Sequence, residues 1–163
     1  MDSTAITLRL GDDPLKKQYR SILSFNTASL PDNAVILSVT LKIKRQGISG
    51  GSSPEVILKD FILDIRKGTF GTSALQLADW QTPASKTVIP SQHAPVGSWY
   101  TFDLTTAKDF INKWATLSGL TQIRLRFRLD DNNDWVANYL SPFSGNYAGT
   151  TSRPTLIVMY YLP

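Results

Sequence analysis

Residues 121–129 read T-Q-I-R-L-R-F-R-L, an unbroken alternation of polar and apolar side chains. Side chains of a β-strand point alternately to its two faces, so this period of two predicts a strand with one face in a core and the other in solvent. The predicted core face carries Ile123, Leu125, Phe127 and Leu129. The predicted solvent face carries Gln122, Arg124, Arg126 and Arg128. The segment therefore favours a layered β-protein and supplies a row of three arginines as a candidate contact surface.

A similar alternation recurs along the chain. It predicts further strands over residues 5–10, 18–25, 35–44, 55–67, 100–104, 136–143 and 156–161. In the cleanest of them the side chains predicted to face inward are Val35, Leu37, Val39, Leu41 and Ile43. Glycine and serine residues between 46 and 54 predict a loop. The alternation slips at residues 59–60, which indicates a bulge.

One segment has helical spacing instead. Thr106 begins a sequence that is similar to a capping box, and Gly119 follows it, so we predict a helix at about residues 106–116. Its apolar face carries Ala107, Phe110, Ile111 and Trp114, and Trp114 is expected in the core. Many strands with one short helix predict two packed antiparallel sheets. The expected fold is all-β: a single β-sandwich domain over residues 1–163 with one short helix.

The composition excludes several classes of protein. A chain of 163 residues with 42% hydrophobic side chains is long enough for one globular core. No apolar run approaches the roughly 18 residues of a membrane helix, so no membrane insertion is expected; no signal peptide is expected either. The net charge is +4, but the densest basic run is K-I-K-R at 42–45, and no nucleic-acid partner is expected. The absence of Cys excludes disulfides.

Catalytic signatures are weak. The only histidine, His93, lies in a proline-flanked loop, and no Gly-x-Ser-x-Gly elbow accompanies it. A glycosidase needs two carboxylates in distinct environments. The aspartates that would supply them are Asp60, Asp64, Asp79 and Asp103, and no pair among them stands out. We therefore expect a protein that is not an enzyme.

One motif has the spacing of a metal ligand set. Asp130, Asn132 and Asp134 form a D-x-N-x-D sequence, which places hard oxygen ligands at alternating positions as calcium requires. The glycine and the distal glutamate of a complete calcium loop are absent. The alternatives are a calcium site at these three residues and a turn rich in Asp and Asn.

Two groups of residues are candidates for binding a ligand. The first is basic: Arg124, Arg126 and Arg128 on one strand, with Lys42 and Lys44 on another. If both strands lie in one sheet, the five cations would suit a carboxylated or sulfated polysaccharide; the alternative is a solvated face neutralised by aspartates on neighbouring strands. The second group is aromatic. Trp135 and Tyr139 follow the acidic turn and are candidate stacking platforms for sugar rings, whereas most tryptophans in a small sandwich cap the core.

Two stretches resemble a known family. The first is Y-R-S-I-L-S-F-N-T-A-S-L-P-D-N-A-V-I-L-S-V-T-L-K-I, and the second is S-P-F-S-G-N followed by R-P-T-L-I-V-M-Y-Y. They resemble the pattern of DNRLRE domains in bacterial and archaeal extracellular proteins, which are grouped with carbohydrate-binding modules. Asn26 stands where that pattern usually has Asp. The resemblance implies a jelly-roll-like sandwich in an extracellular or cell-surface setting, as one domain of a larger secreted protein.

The function expected from these observations is that of a non-catalytic extracellular module. It would bind a polysaccharide or cell-surface glycan, with an acidic polymer favoured by the basic residues, or serve in adhesion. The alternative is a purely structural spacer, cap or assembly module of a cell-surface protein.

Overall fold

A computed structural model describes residues 1–91, 94–114 and 116–163. These described residues form ten strands in two sheets, and each pairing between these strands is antiparallel. The strands are β1 (Leu10–Asp12), β2 (Gln18–Tyr19), β3 (Ser21–Asn26), β4 (Val35–Ser49), β5 (Phe61–Lys67), β6 (Lys86–Val88), β7 (Trp99–Asp103), β8 (Leu120–Phe127), β9 (Asn138–Pro142) and β10 (Thr155–Tyr161). The predicted antiparallel β-sandwich is confirmed.

The two sheets have different sizes. The large sheet has the order β10-β4-β9-β1-β2, and β7 also pairs with β4. The small sheet has the order β3-β8-β5-β6. The arginine-rich strand β8 therefore lies in the small sheet, whereas Lys42 and Lys44 lie in the large one.

The core lies between the inner faces of the two sheets. Leu41 and Phe102 of the large sheet and Leu63 and Leu125 of the small sheet are fully buried. The ring of Phe61 lies at the centre, with its centroid 4.9 Å from those of Phe102 and Phe127 and 5.0 Å from that of Tyr100. Such aromatic contacts add to the free energy gained by burying apolar surface. The inward alternation predicted for β8 is confirmed at Ile123, Leu125 and Phe127.

The predicted strand at 35–44 is longer and more irregular than expected. In the pairing of β4 with β10 the partners step from Ser38 to Ile36, which leaves Leu37 as an extra residue in a bulge. The bulge reverses the alternation, so Ile36 is buried, whereas Leu37 is 49% exposed and Val35 is also exposed. The predicted loop at 46–54 is wrong at its start because β4 continues to Ser49, beyond a second register shift between Arg45 and Gly47.

The first two predicted strands differ from the alternation: the strand at 5–10 is shorter, and the strand at 18–25 divides into β2 of the large sheet and β3 of the small sheet. Regular pairing at the N-terminus begins only at Leu10; before it, the segment contacts β9 through a bridge between Thr7 and Phe143. The beginning of the predicted strand at 55–67 is a short helix, α1 (Pro54–Ile57). Lys59 and Asp60 then take left-handed backbone conformations before β5 begins. The slip in the pattern therefore marks a turn between helix and strand and not a bulge.

The predicted helix is a short 3₁₀ helix. It covers Thr105–Phe110 and ends where Ile111 becomes extended; residue 115 lies outside the described residues. Ala107 and Ile111 are buried as expected, but Trp114 is 47% exposed, so its expected place in the core is wrong. Because the helix ends at Phe110, Trp114 does not lie on the apolar face predicted for it. Its ring centroid lies 4.5 Å from the ammonium nitrogen of Lys67. Three further 3₁₀ turns cover Leu77–Trp80, Leu117–Gly119 and Thr150–Ser152.

Candidate ligand-binding face of the large sheet

The arginine row of β8 is not a free basic surface. Arg124 is only 6% exposed and Gln122 is also buried, so their predicted exposure to solvent is wrong. The irregular segment 70–82 covers them. Arg124 Nη1 donates hydrogen bonds to the carbonyl oxygens of Asp79 (2.6 Å) and Thr82 (3.0 Å). Gln122 Oε1 accepts the N–H of Phe70 at 2.7 Å. The sequence gives no direct indication of this cover because segment 70–82 has no regular period.

Each arginine of the row has an aspartate partner, and two of the three share one carboxylate. The buried Asp64 of β5 lies opposite Arg124, and its Oδ2 contacts Arg124 Nη2 at 2.8 Å and Arg126 Nε at 2.9 Å. Burial opposes ionisation, but hydrogen bonds from Arg126, Thr87 and Arg124 outweigh it and hold the pKa of Asp64 below its ordinary value. Arg128, which is exposed, lies 3.5 Å from Asp60. The alternative of a solvated face neutralised by neighbouring aspartates is therefore right about the carboxylate partner on β5 but wrong about solvation, because segment 70–82 covers Arg124.

Lys42 and Lys44 form a different arrangement. They project from the outer face of β4 in the large sheet, so the proposed surface of five cations is not formed. Trp99 lies opposite Lys44 on β7, and the ammonium nitrogens of Lys42 and Lys44 lie 5.1 and 5.8 Å from its ring centroid. Lys44 also donates to Ser152 Oγ at 3.1 Å. Within the described residues neither lysine forms an ion pair. We call Lys42, Lys44 and Trp99 the lysine–tryptophan group.

Tyr139 belongs to a second group on the outer face of the large sheet. Gly11 of β1 pairs with Tyr19 on one side and Tyr139 on the other, and the two rings meet edge to face at 6.0 Å. The guanidinium carbon of Arg9 lies 5.5 Å from the Tyr19 centroid and 5.2 Å from that of Tyr139. Tyr19 donates its hydroxyl to Asp13 at 2.7 Å, which raises the pKa of Tyr19. We call Arg9, Tyr19 and Tyr139 the arginine–tyrosine group.

Trp135 is the exposed aromatic that the sequence predicts. It is 69% exposed, and the ammonium of Lys16 lies 4.4 Å from its ring centroid. Lys16 also donates to Asn133 Oδ1 at 2.8 Å. The contact joins the loop between β1 and β2 to the loop between β8 and β9, so Trp135 lies near the end of the large sheet that carries the arginine–tyrosine group.

The predicted calcium ligands have partners within the protein. Asp130 accepts two hydrogen bonds from Arg20, at 2.7 and 3.1 Å. Asn132 donates to Asp134 Oδ2 at 2.8 Å, and Asp134 Oδ1 accepts the N–H of Val136, which lowers the pKa of Asp134. In the part of the chain that the structure describes, no group of three or more acidic or histidine side chains is placed to hold a metal ion. Calcium at these residues stays a prediction.

Asp12 is a residue of this region that the sequence analysis did not identify. Its side chain is buried beneath the acidic loop, where Oδ2 accepts the N–H of Asn132 at 3.2 Å and Oδ1 accepts the N–H of Asn138 at 3.1 Å. Burial raises its pKa, with a further contribution from the nearby Asp131 carboxylate. In the sequence, its position after Gly11 indicates only a turn. Its hydrogen-bond partners lie more than a hundred residues further along the chain, so the sequence pattern does not reveal them.

The described residues place the candidate catalytic carboxylates in structural roles. Asp64 is held by two arginines, Asp103 accepts the N–H of Thr105, and Asp79 accepts the N–H of Gln76. His93 lies outside the described residues. The absence of catalysis therefore stays a prediction.

Comparisons with known proteins add no family assignment. Neither the known protein-family models nor the curated proteins contain a match to this chain. The resemblance to DNRLRE domains therefore stays a prediction. In the described residues no helix has the length and apolar character needed to span a membrane.

Proposed function

We propose that this protein is a non-catalytic extracellular module that binds an acidic polysaccharide through the outer face of its large sheet. The lysine–tryptophan group is the observation that carries this proposal. Lys42 and Lys44 form no ion pair within the described residues, in contrast to Arg124 and Arg126 of β8 and to Arg128 just after it. Cations whose charge is not neutralised internally remain available to a partner.

The chemistry of the group suits an acidic sugar. The apolar face of a pyranose ring packs against an indole, and an ammonium beside the indole can contact a carboxylate or sulfate on the same or the next sugar. Lys42 and Lys44 are two residues apart on one face of β4, about 7 Å along the strand. Like charges at that spacing repel each other, and a bound anion would relieve the repulsion. An uncharged glycan would gain only the stacking.

The site differs from the one that the sequence favours. Arg124 is buried with its guanidinium engaged by Asp64 and backbone carbonyl groups, and Arg126 has its charge paired with the same carboxylate. Arg128 is exposed but lies just after β8, a strand of the other sheet, beside Asp60. We therefore place the binding surface at Lys42 and Lys44, with Tyr139 and Trp135 further along the molecule.

The test is binding to polygalacturonate, dextran sulfate and uncharged dextran, measured by affinity electrophoresis at low and physiological salt. We expect Lys42→Gln/Lys44→Gln and Trp99→Ala each to weaken binding to an acidic polymer at least about tenfold, a loss of roughly 1.4 kcal/mol. Binding should also weaken as salt rises, because salt screens exposed charges. Arg128→Gln is the matched control and should bind as the wild type does. Equal binding by all variants, or a preference for uncharged dextran, would contradict the proposal.

A second candidate is the structural role, as an assembly or spacer module beside other domains of a larger secreted protein. It is favoured by β10, which pairs with β4 on one side and carries the exposed apolar side chains of Ile157, Met159 and Tyr161. An apolar strand at the edge of a sheet favours pairing with another chain. Sedimentation equilibrium of the wild type and of Met159→Lys tests this role: self-association that the lysine abolishes would support it, and a monomer at all concentrations would count against assembly through β10.

A further inference from the structure

We infer that the lysine–tryptophan group and the arginine–tyrosine group are two subsites of one elongated surface that binds an acidic polysaccharide along several sugar units. The inference rests on the proposed function and deepens it, because it defines how long a ligand must be to bind well.

Both groups lie on the same face of the large sheet. On β9 the inward residue Leu140 is buried in the core, so its neighbours Tyr139 and Ser141 face outward. On β4 the buried Ile43 faces inward, so Lys42 and Lys44 face outward. An aromatic ring with basic side chains around it is therefore presented at two places on one surface.

The separation of the groups follows from the register of β4. Tyr139 pairs with Ser49 and Trp99 pairs with Lys44, which places the two rings five residues apart along β4, or about 15 Å. Arg45 pairs with Pro142 in β9 and donates its N–H to the carbonyl oxygen of Ser98, just before β7. β9 and β7 therefore flank β4 on opposite sides, which adds about 10 Å across the strands. A single sugar cannot reach both rings, whereas an oligosaccharide of several units can.

The surface between the groups is open. Gly47 pairs with Ser141 on the outward face, and no atom outside residues 46–48 lies within 4 Å of the position that a Cβ of residue 47 would occupy. A glycine without neighbours above it leaves room for a chain to pass from Tyr139 to Trp99. Two of its outward neighbours, Ser49 and Ser141, are small and polar. The exposed Gln46 precedes Gly47, and its Oε1 accepts a hydrogen bond from the Thr7 hydroxyl.

The charges of the two groups have the same sign. Arg9 is exposed and forms no ion pair within the described residues, like Lys42 and Lys44. A ligand with repeated negative charge can contact all three, and its second contact is intramolecular once the first has formed. Linking two contacts in this way raises the affinity roughly 10²–10⁴-fold above that of either contact alone when the linker spans both sites.

The experiment uses two ladders of defined length, oligogalacturonates for carboxylate ligands and heparin-derived oligosaccharides for sulfated ones, titrated by calorimetry into the whole protein. We expect the Kd to fall at least about tenfold over a narrow range of lengths, where the oligomer becomes able to span both groups. Arg9→Gln should remove that step, because it takes the positive charge from the arginine–tyrosine group. Gly47→Ile should do the same by obstructing the passage, whereas Gly47→Ala should keep the step. Thermal melts confirm that each variant is folded.

The possible failures are distinguishable. Affinity that is independent of length in both ladders, or a step that persists in Arg9→Gln and Gly47→Ile, would overturn the two-subsite inference and leave the lysine–tryptophan site of the proposed function intact. A wild-type protein that binds neither ladder at any length would overturn the proposed function, and the inference with it.

Discussion

Asp64 and Arg124 lie directly opposite each other on β5 and β8, with Asp64 Oδ2 2.8 Å from Arg124 Nη2 in the buried outer layer of the small sheet. The guanidinium also lies 4.5 Å from the ring centroid of Phe70. Arg124 therefore uses one edge of its guanidinium for the carboxylate and another for the backbone of segment 70–82. The pair fixes an irregular segment onto the sheet, which is a structural role and not one in binding a ligand.

The first prediction concerns the loss of the Asp64 charge. Asp64→Asn leaves Arg124 buried without an ionised partner, and breaking a buried pair in this way costs about 3–5 kcal/mol of unfolding free energy. Urea denaturation followed by tryptophan fluorescence measures the loss. Asp32→Asn, at an exposed turn, is the control and should change stability by no more than about 0.5 kcal/mol. Similar small effects at both positions would show that the pair is not buried as described.

The second prediction is the pH dependence of the same pair. The pKa of Asp64 is lower in the folded protein than its ordinary value of about 3.9, so the folded state holds this carboxylate ionised more strongly than the unfolded state does. Its contribution to stability is fully present above about pH 5 and is lost as the pH falls through the folded-state pKa. We therefore expect the difference in unfolding free energy between the wild type and Asp64→Asn to shrink steadily below pH 4. A difference that stays constant from pH 7 to pH 3 would contradict this assignment.

The third prediction compares two residues of β8 with one just after it. Leu125→Ala removes a fully buried side chain from the core and should cost about 2–5 kcal/mol. Arg124→Ala should cost a similar amount, because it removes the packing on Phe70 and leaves the carbonyl groups of Asp79 and Thr82 without their donor. Arg128→Ala should remain within about 0.5 kcal/mol. If Arg124→Ala resembles Arg128→Ala in urea denaturation, segment 70–82 does not cover the strand.

The sequence predicts the faces of the strands better than it predicts what covers them. Alternation fixes which side chains of β8 share a face, and Ile123 and Leu125 are buried as it indicates. It carries no information about a cover made by a distant irregular segment, so Arg124 is predicted in solvent and is found buried. A bulge is equally invisible in the alternation. The extra residue Leu37 in β4 reverses the faces on which the preceding residues Ile36 and Val35 lie.

The candidate site was harder to predict than the fold, because it depends on pairing between distant strands. Lys44 and Trp99 become neighbours only through the register of β4 with β7, and Tyr19 joins Tyr139 only through Gly11 of β1. Single aromatic or basic residues were visible in the sequence, and Trp135 was correctly predicted to be exposed. The arginines stand out because they alternate along one predicted strand, whereas Lys42 and Lys44 acquire Trp99 as a neighbour only through the pairing of β4 with the distant β7.

The fourth prediction concerns calcium at Asp130, Asn132 and Asp134. An ion there must compete with Arg20 for the Asp130 carboxylate. We therefore expect millimolar calcium, relative to chelator, to raise the melting temperature of Arg20→Gln more than that of the wild type, since an ion bound to the folded state stabilises it by mass action. Arg20→Gln/Asp130→Asn is the control and should lose the increase. No calcium-dependent shift in either the wild type or Arg20→Gln would exclude a site that uses Asp130.

The last prediction contrasts two glycines of the large sheet. Gly11 has a φ of +124°, and a Cβ there would lie 2.0 Å from the carbonyl oxygen of Asn138. Gly11→Ala therefore forces β1 away from β9 and should destabilise the protein by at least about 1–3 kcal/mol. Because Gly11 lies between Tyr19 and Tyr139, the substitution should also disturb the arginine–tyrosine group. Gly47→Ala meets no atom outside residues 46–48 within 4 Å and should change stability by less than about 1 kcal/mol, because an alanine also restricts the unfolded chain. Urea denaturation of the two variants provides the comparison, and tolerance of alanine at position 11 would show that the close approach of β1 to β9 is not required for this fold.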